Sequence, residues 1–402
     1  MKQPYDYRHA DLLGAEEQTR RLEPLRRAMK AAGIGRALVS SPANLYYLTG
    51  RVYRGYLYIE SDSDRVLYLV RRPNHLEGAG VHLISKPAEI NGVLAEAGVG
   101  AGEPMALELG IMPYSDTLRL CKALGMTEPG GDISPVLRAV RAVKTEVEQS
   151  MLRASGEKQT EVYSRIPHLY QEGMSDIELQ IEIERQSRLE GCLGQFRVAG
   201  TDMEIFMGNV LTGKNADTPS PYDFAMGGAG LDPSLPVGAD GTVIRPGQPV
   251  MVDVNGNYTG YMTDMTRCYG SGIMPEEVVK ANQLSADICE ALAGMMTPGT
   301  PAAELYNKAL EMARTAGMEA YFMGHRSHAG FVGHGVGIEI NELPVIAPRS
   351  RDILQAGNVI ALEPKFVLPG IGAVGIENTY IVHSQAPGER ITKAPDNIVS
   401  LD

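Results

Sequence analysis

Apolar positions along this chain fall into two rhythms, helical and alternating, and the places where one gives way to the other outline its organisation. Residues 16–33 carry Leu22, Leu25, Met29 and Ala32 on one helical face and stop at Gly33, which predicts a first helix. Residues 37–40 form an apolar strand, followed by the turn SPAN and the aromatic segment LYYLTG. YLYIES and RVLYLV, separated by the polar DSD, read as two more short strands. Helix and strand patterns alternate in this way to about residue 135, the layout of an α/β layer domain.

The pattern changes at residues 128–134, EPGGDIS, and a boundary there divides the chain into residues 1–135 and 136–402. LRAVRAVKTEVEQSMLRASGEKQTEVYSRIPHLYQEG then predicts one long charged helix ending at Gly173. SDIELQIEIERQSRLEG predicts a second, opened by a Ser/Asp cap and stopped at Gly191. Residues 212–241 have little regular pattern and many Gly and Pro, and loops of this length are usually functional or mobile. VMVDVNGNYTGYMTDMTRCYG is strand-like, two amphipathic helices follow, and the chain returns to strands in VIALEPKFV and AVGIENTYIV.

Composition narrows the classes of function. A chain of 402 residues exceeds one ordinary core. A net charge of -12 argues against a nucleic-acid partner, since phosphate binding needs basic surface. No apolar run reaches the roughly 18 residues of a membrane span, and the first residues lack the apolar stretch of a signal peptide. Cys121, Cys192, Cys268 and Cys289 are scattered, with no CxxC pair, and read as thiols of a reducing compartment. A cytoplasmic location is therefore expected.

The chemistry lies in carboxylates placed inside apolar strands: Asp253 in VMVDV, Glu363 in VIALEP and Glu377 in AVGIEN. A buried carboxylate without a partner is costly, so each calls for a cation or strong donors. Glu363 and Glu377 are symmetric about Gly370, and a hairpin turning there sets them opposite one another. Asp253 and Asp264 straddle NGNYTG. A tight turn at Asn255 and Gly256 would pair Asp253 with Tyr258, so bringing the two acids together needs a wider connection centred near Tyr258 and Thr259. Four gathered carboxylates repel, and two divalent cations would balance them. His334, between glycines in FVGHGVGIEINELP, would add one imidazole, and oxygen ligands with one nitrogen and no thiolate favour Mn²⁺, Co²⁺, Fe²⁺ or Zn²⁺. Taken singly, each acid also suits a strand end or turn, and His334, His325 and His328 suit ordinary loops. Thr266 and Arg267, just after Asp264, would be a strand's polar face or else donors that orient the carboxylates, and Thr379 is placed with Thr266 in that orienting role.

VDVNGNYTGYMTDMTR, GHGVGIEINELP, ALEP and GIENTYIV resemble, in order and spacing, the motifs of the pita-bread metallopeptidases, the family of prolidase, aminopeptidase P, methionine aminopeptidase and the metal-free relative creatinase. SPANLYYLTG is similar to the creatinase-type N-terminal domain. The resemblance implies an α/β N-terminal domain with a ribonuclease H-like layer and an α+β pita-bread catalytic domain. It implies two divalent metal ions, with Asp253 on one, His334 and Glu363 on the other, and Asp264 and Glu377 bridging. Glu363 would also take a proton from the attacking water. The implied activity is hydrolysis of C–N amide bonds in a small peptide or peptide-like substrate, of the Xaa-Pro dipeptidase or aminopeptidase kind, by a homodimer. Two departures stand out. Where such peptidases carry substrate-site histidines, this chain reads Val237 and Asn341; Asn341 still donates a hydrogen bond but cannot shuttle a proton. A metal-binding protein without turnover and a creatinase-like amidinohydrolase are the competing readings. Tyr222, Asp223 and Phe224, in the loop at 212–241, are expected to form a substrate-selective wall.

Overall fold

Two units divide the chain between Arg141 and Ala142 in the computed structural model, which describes residues 13–72, 78, 80–200, 206–219, 221–223 and 227–402. In the first, helix α1 (Ala15–Ala31) buries Leu22, Leu25 and Met29, the face that the helical spacing singles out. Strands β1 (Arg36–Val39), β2 (Gly55–Glu60), β3 (Val66–Val70) and β4 (Val81–Leu83) form one sheet in that order. The first two pairings are antiparallel and the last is parallel. Helices α3 (Ile90–Glu96) and α4 (Tyr114–Leu124) contribute Ile90, Leu94, Leu120 and Leu124 to a core shared with Leu38, Tyr58 and Leu69.

SPAN is not a turn but the start of helix α2 (Pro42–Thr49). The Ser41 side chain accepts the Asn44 N–H, Pro42 supplies the preset first helical residue, and Gly50 ends the helix in the left-handed region at φ 72°. Cap, proline and closing glycine together outweigh the strand preference of the aromatic residues. The single charged helix expected up to Gly173 is also corrected. It is two, α5 (Ser134–Arg141) and α6 (Glu146–Leu169). Thr145 breaks the run: its hydroxyl accepts the Glu148 N–H while the Glu148 carboxylate accepts the Thr145 N–H. Ser175 opens α7 (Asp176–Leu189) with the same reciprocal cap through Glu178.

In the second unit one sheet runs β17 (Val399–Ser400), β9 (Thr266–Gly270), β6 (Val250–Val254), β5 (Gly208–Thr212). The other runs β11 (Glu342–Ile346), β10 (Gly333–Gly335), β12 (Val359–Leu362), β15 (Asn378–Ile381), β16 (Glu389–Arg390). Helices α8 (Glu276–Met295) and α9 (Ala302–Thr315) pack Ile288, Leu292 and Leu305 into a core with Ile360, Leu362 and Phe366. Among the described residues, no helix is long and apolar enough to cross a membrane.

Two hairpins set the carboxylates. In one, β12 continues into β13 (Lys365–Leu368) and β14 (Gly372–Gly375) into β15, with unbroken register from Val359↔Ile381 to Leu368↔Gly372. Glu363 therefore lies opposite Glu377, as their symmetry about Gly370 predicts. The other hairpin joins β6 and β7 (Gly256–Asn257) to β8 (Met262–Thr263) and β9. Its connection is wide, as required, but the register pairs Asp253 with Thr266 and Gly256 with Thr263. The turn thus centres on Thr259 and Gly260, and Asp264 comes across from Asn255 instead of Asp253. Asn257 Oδ1 accepts the Gly260 N–H at 3.1 Å, and Gly260 takes the left-handed conformation at φ 85°, which fixes the turn there. Thr266 and Glu377 exchange backbone hydrogen bonds and so join the two hairpins.

Candidate active site

Asp253 in β6, Asp264 between β8 and β9, His334 in β10, Glu363 after β12 and Glu377 before β15 line one cavity of about 170 Å³. Close strand approach makes this possible. A Cβ at Gly333 would meet the Ala361 carbonyl oxygen at 2.4 Å, and one at Gly335 would meet that of Leu343 at 2.1 Å, so only glycine on either side lets His334 sit between two strands. One ligand atom each from Asp264, His334 and Glu377 lies within 4.8 Å of the others. His334 Nε2 is 3.4 Å from Glu363 Oε1, and its Nδ1 is 3.2 Å from the Gly335 carbonyl oxygen.

Lys365 stands in the middle of the cluster. Its ammonium donates to Asp253 Oδ2 at 2.9 Å, Glu363 Oε2 at 2.8 Å and Glu377 Oε2 at 3.1 Å. The sequence holds the signal for it: side chains two apart on a strand share a face, so Lys365 must project with Glu363. A lysine inside apolar VIALEPKFV asks for partners as insistently as the carboxylates do.

Burial and crowding set the charge states. Burial, then the charge of Asp253, pushes the Asp264 carboxyl up to about 7. Burial and Asp264 push Glu377 well above the usual carboxylate range. Burial opposes the charge on Glu363 too, but Lys365 and His334 outweigh it and hold this carboxyl down at about 2. For His334, burial disfavours the charged ring, yet Glu363, Asp264 and Glu377 raise it to about 9. Four carboxyl groups facing one ammonium and one imidazole leave the cluster short of positive charge on the Asp264–Glu377 side, where buried Glu377 Oε1 has no hydrogen-bond partner. Two carboxylates and an imidazole meeting there suit a divalent transition-metal ion.

The surrounding residues divide sharply. Thr266 Oγ1 donates to Glu377 Oε2 at 2.8 Å. Thr379 instead grips the backbone of Asp264, accepting its N–H at 2.9 Å and donating to its carbonyl at 2.8 Å. Arg267, wholly buried, touches none of the cluster's carboxylates. It donates to the carbonyls of Thr266, Glu377 and Ala394 and to Asn378 Oδ1, fixing the strands behind the site.

Of the residues expected to meet substrate, Asn341 lines the cavity, while Val237 and Tyr222 do not. Val237 is buried in the 235–238 turn region, its N–H on the Leu235 carbonyl. Asp223 lines the cavity and accepts the Gly330 N–H at 2.8 Å; Phe224 lies outside the described residues. His325 is 3.2 Å from Asp217, and His328 is 2.8 Å from the Phe322 carbonyl oxygen; neither lines the cavity. The apolar walls are Phe196, Phe331 and Ile340, which no periodicity marks. A larger cavity of about 1120 Å³ in the first unit is bordered by Arg54, Arg71, Lys86 and Arg119 and holds no comparable cluster of acids.

Residues 150–384 match Metallopeptidase family M24, and residues 21–143 match the Creatinase/Prolidase N-terminal domain. The uncharacterized peptidase YqhT of Bacillus subtilis is 25% identical over 387 residues, which are 95% of this chain and 100% of that protein. The Xaa-Pro dipeptidase of Pyrococcus furiosus is 26% identical over 379 residues, 93% of this chain and 97% of its own. A solved Xaa-Pro dipeptidase from Bacillus anthracis superposes with a TM-score of 0.79 at 22% identity, covering 95% of this chain and 99% of that one. The fold is therefore a creatinase-type α/β N-terminal domain, with its ribonuclease H-like layer, followed by an α+β pita-bread domain.

Proposed function

The chain belongs to metallopeptidase family M24, and on that premise we propose that its second unit is a metal-dependent hydrolase of C–N amide bonds in small peptides or peptide-like substrates, Xaa-Pro dipeptides among them. The observation that carries the reading is the approach of Asp264, His334 and Glu377, with Glu363 beside them, at a cavity walled by Phe196, Phe331 and Ile340. Asp264, His334 and Glu377 would hold a divalent ion. When bound, such an ion polarises a substrate carbonyl and acidifies a water. Glu363, ionised and 3.4 Å from the His334 ring, would accept a proton from an attacking water. Phe196, Phe331 and Ile340 would give the scissile bond an apolar surround. The four cysteines, all buried and unpaired, support a reducing, cytoplasmic setting, and a homodimer is the assembly expected from the family resemblance.

A second reading, a metal-binding protein without peptidase turnover, is favoured by one observation. The Asn341 amide is engaged with the backbone of Ala199, so the wall where related peptidases carry a histidine presents a different surface. The test is an assay of protein loaded with Mn²⁺, Co²⁺, Fe²⁺ or Zn²⁺ against Xaa-Pro dipeptides, other dipeptides and small amides. Hydrolysis that disappears in Glu363→Gln while metal stays bound supports the first reading. No turnover on any substrate, with metal bound, supports the second.

A further inference from the structure

We propose that Lys365 is the permanent cation of one half of the carboxylate cluster, so that the chain holds one divalent ion where the family resemblance implies two. The inference rests on the metal-dependent reading above and concerns how many ions that site accepts.

The ammonium lies between Asp253, Glu363 and Glu377 at 2.8–3.1 Å. Its three N–H donors meet three carboxylate oxygens, so none is left over. A metal ion bound to the same oxygens would stand about 2.0–2.2 Å from each and would need the same space. Ammonium and ion therefore exclude one another. Lys365 cannot simply swing aside. Its side chain is 2% exposed, and its position two residues after Glu363 on a paired strand puts it on the same face as the cluster. Any other buried placement would leave the charge without partners.

Asp253 gives an independent indication. It is the residue expected to ligate only the displaced ion, and its Oδ2 is held by Lys365. Among the described residues, the acids and histidine whose ligand atoms come close enough to share an ion are Asp264, His334 and Glu377, without Asp253. The cluster is thus divided: an ammonium serves Asp253 and one oxygen each of Glu363 and Glu377, while the remaining Glu377 oxygen, Asp264 and His334 face a single ion.

The test is the stoichiometry and affinity of Co²⁺ binding to the full chain after chelation, read by elemental analysis and by titration of the cobalt absorption bands. The expected result is one equivalent for the natural protein and two for Lys365→Met, which keeps the stem and removes the charge. Should Lys365→Met not fold, Asp253→Asn decides the matter. As a partner of Lys365 and not a ligand, it should keep one equivalent with affinity within about tenfold of the natural protein, while Asp264→Asn abolishes tight binding. Two tight equivalents in the natural protein, or loss of the ion in Asp253→Asn, would overturn the proposal and leave the metal-dependent reading standing. No bound cobalt at all would overturn both.

Discussion

The side-chain amide of Asn341 is closed on the backbone of Ala199 in both directions, its Oδ1 accepting the Ala199 N–H at 2.7 Å and its Nδ2 donating to the Ala199 carbonyl at 3.1 Å. An asparagine used this way copies one rung of a β-ladder. It pins the strand-less segment that carries Phe196 against the wall formed by Ile340, whose own N–H reaches the Arg197 carbonyl at 2.8 Å.

Asn341→Ala should therefore loosen one wall of the cavity with little effect on the rest of the fold. The expected cost in global stability is about 1–2 kcal/mol. Hydrogen exchange at Ala199 should quicken strongly, and if dipeptides are substrates, KM should rise more than kcat falls. Unchanged exchange at Ala199 would show that the pairing does not hold this segment.

The metal-free protein should respond to pH through the same cluster. The Asp264 carboxyl is raised from 3.8 to about 7, by burial first and then by Asp253, and Glu377 is displaced the same way. A carboxyl whose folded-state pKa lies above its unfolded one imposes no penalty at acid pH and a growing one as the solution becomes basic. Metal-free protein should lose stability from about pH 4 upward, Asp264 contributing until about 7 and Glu377 beyond it, with His334 adding to the decline as it loses its proton toward about 9. Asp264→Asn should flatten part of that decline, making the variant the more stable form near neutrality without metal. With Mn²⁺ added, the order should reverse, because the natural site gains more from binding. Thermal melts of chelated and Mn²⁺-loaded samples across this range decide it; a metal-free protein that grows more stable toward neutral pH would contradict the prediction.

Away from the site, Arg153 of α6 grips Glu389 of β16 with two bonds, Nε to Oε1 at 2.9 Å and Nη2 to Oε2 at 2.7 Å, and His383 Nε2 lies 2.7 Å from the same carboxylate. The Arg153 hydrogen bond leads in holding the Glu389 carboxyl down at about 2 from an ordinary 4.5, against the opposing effect of burial and with His383 assisting. Both partners are about a third exposed, so solvent screens the pair. Glu389→Gln should cost only about 0.5–1 kcal/mol at neutral pH. Because the folded-state pKa is depressed, the gap should be complete above 4.5 and close as pH falls toward about 2. Paired urea titrations at several pH values measure it, and a gap independent of pH would point to packing instead of charge.

The sequence constrains this site most where period and symmetry constrain geometry. The symmetry of Glu363 and Glu377 about Gly370 is enough to set their register, because a strand has only two faces and the intervening turn is short. Asp253 and Asp264 were harder, since the placement of their turn depends on Asn257 closing on Gly260, a local bond that apolar periodicity does not encode. The helix in PANLYYLT was obscured by its aromatic residues, although Ser41, Pro42 and Gly50 mark its ends. Lys365 was legible in principle, from its spacing to Glu363. Phe196 and Phe331 were not: each lies outside regular strands, and only the tertiary course of the backbone brings them to the same cavity.

Lys365, Glu363 and Glu377 all belong to the single hairpin spanning residues 359–381, which has a consequence for how the protein is made. Contacts between near neighbours in sequence form early, and hairpins close within microseconds. The two facing glutamates therefore acquire a counter-charge from their own hairpin, before Asp253 arrives from more than a hundred residues upstream and without waiting for a metal ion. On the metal-dependent reading proposed above, the hairpin can then fold without an ion, and loading would come as a later step.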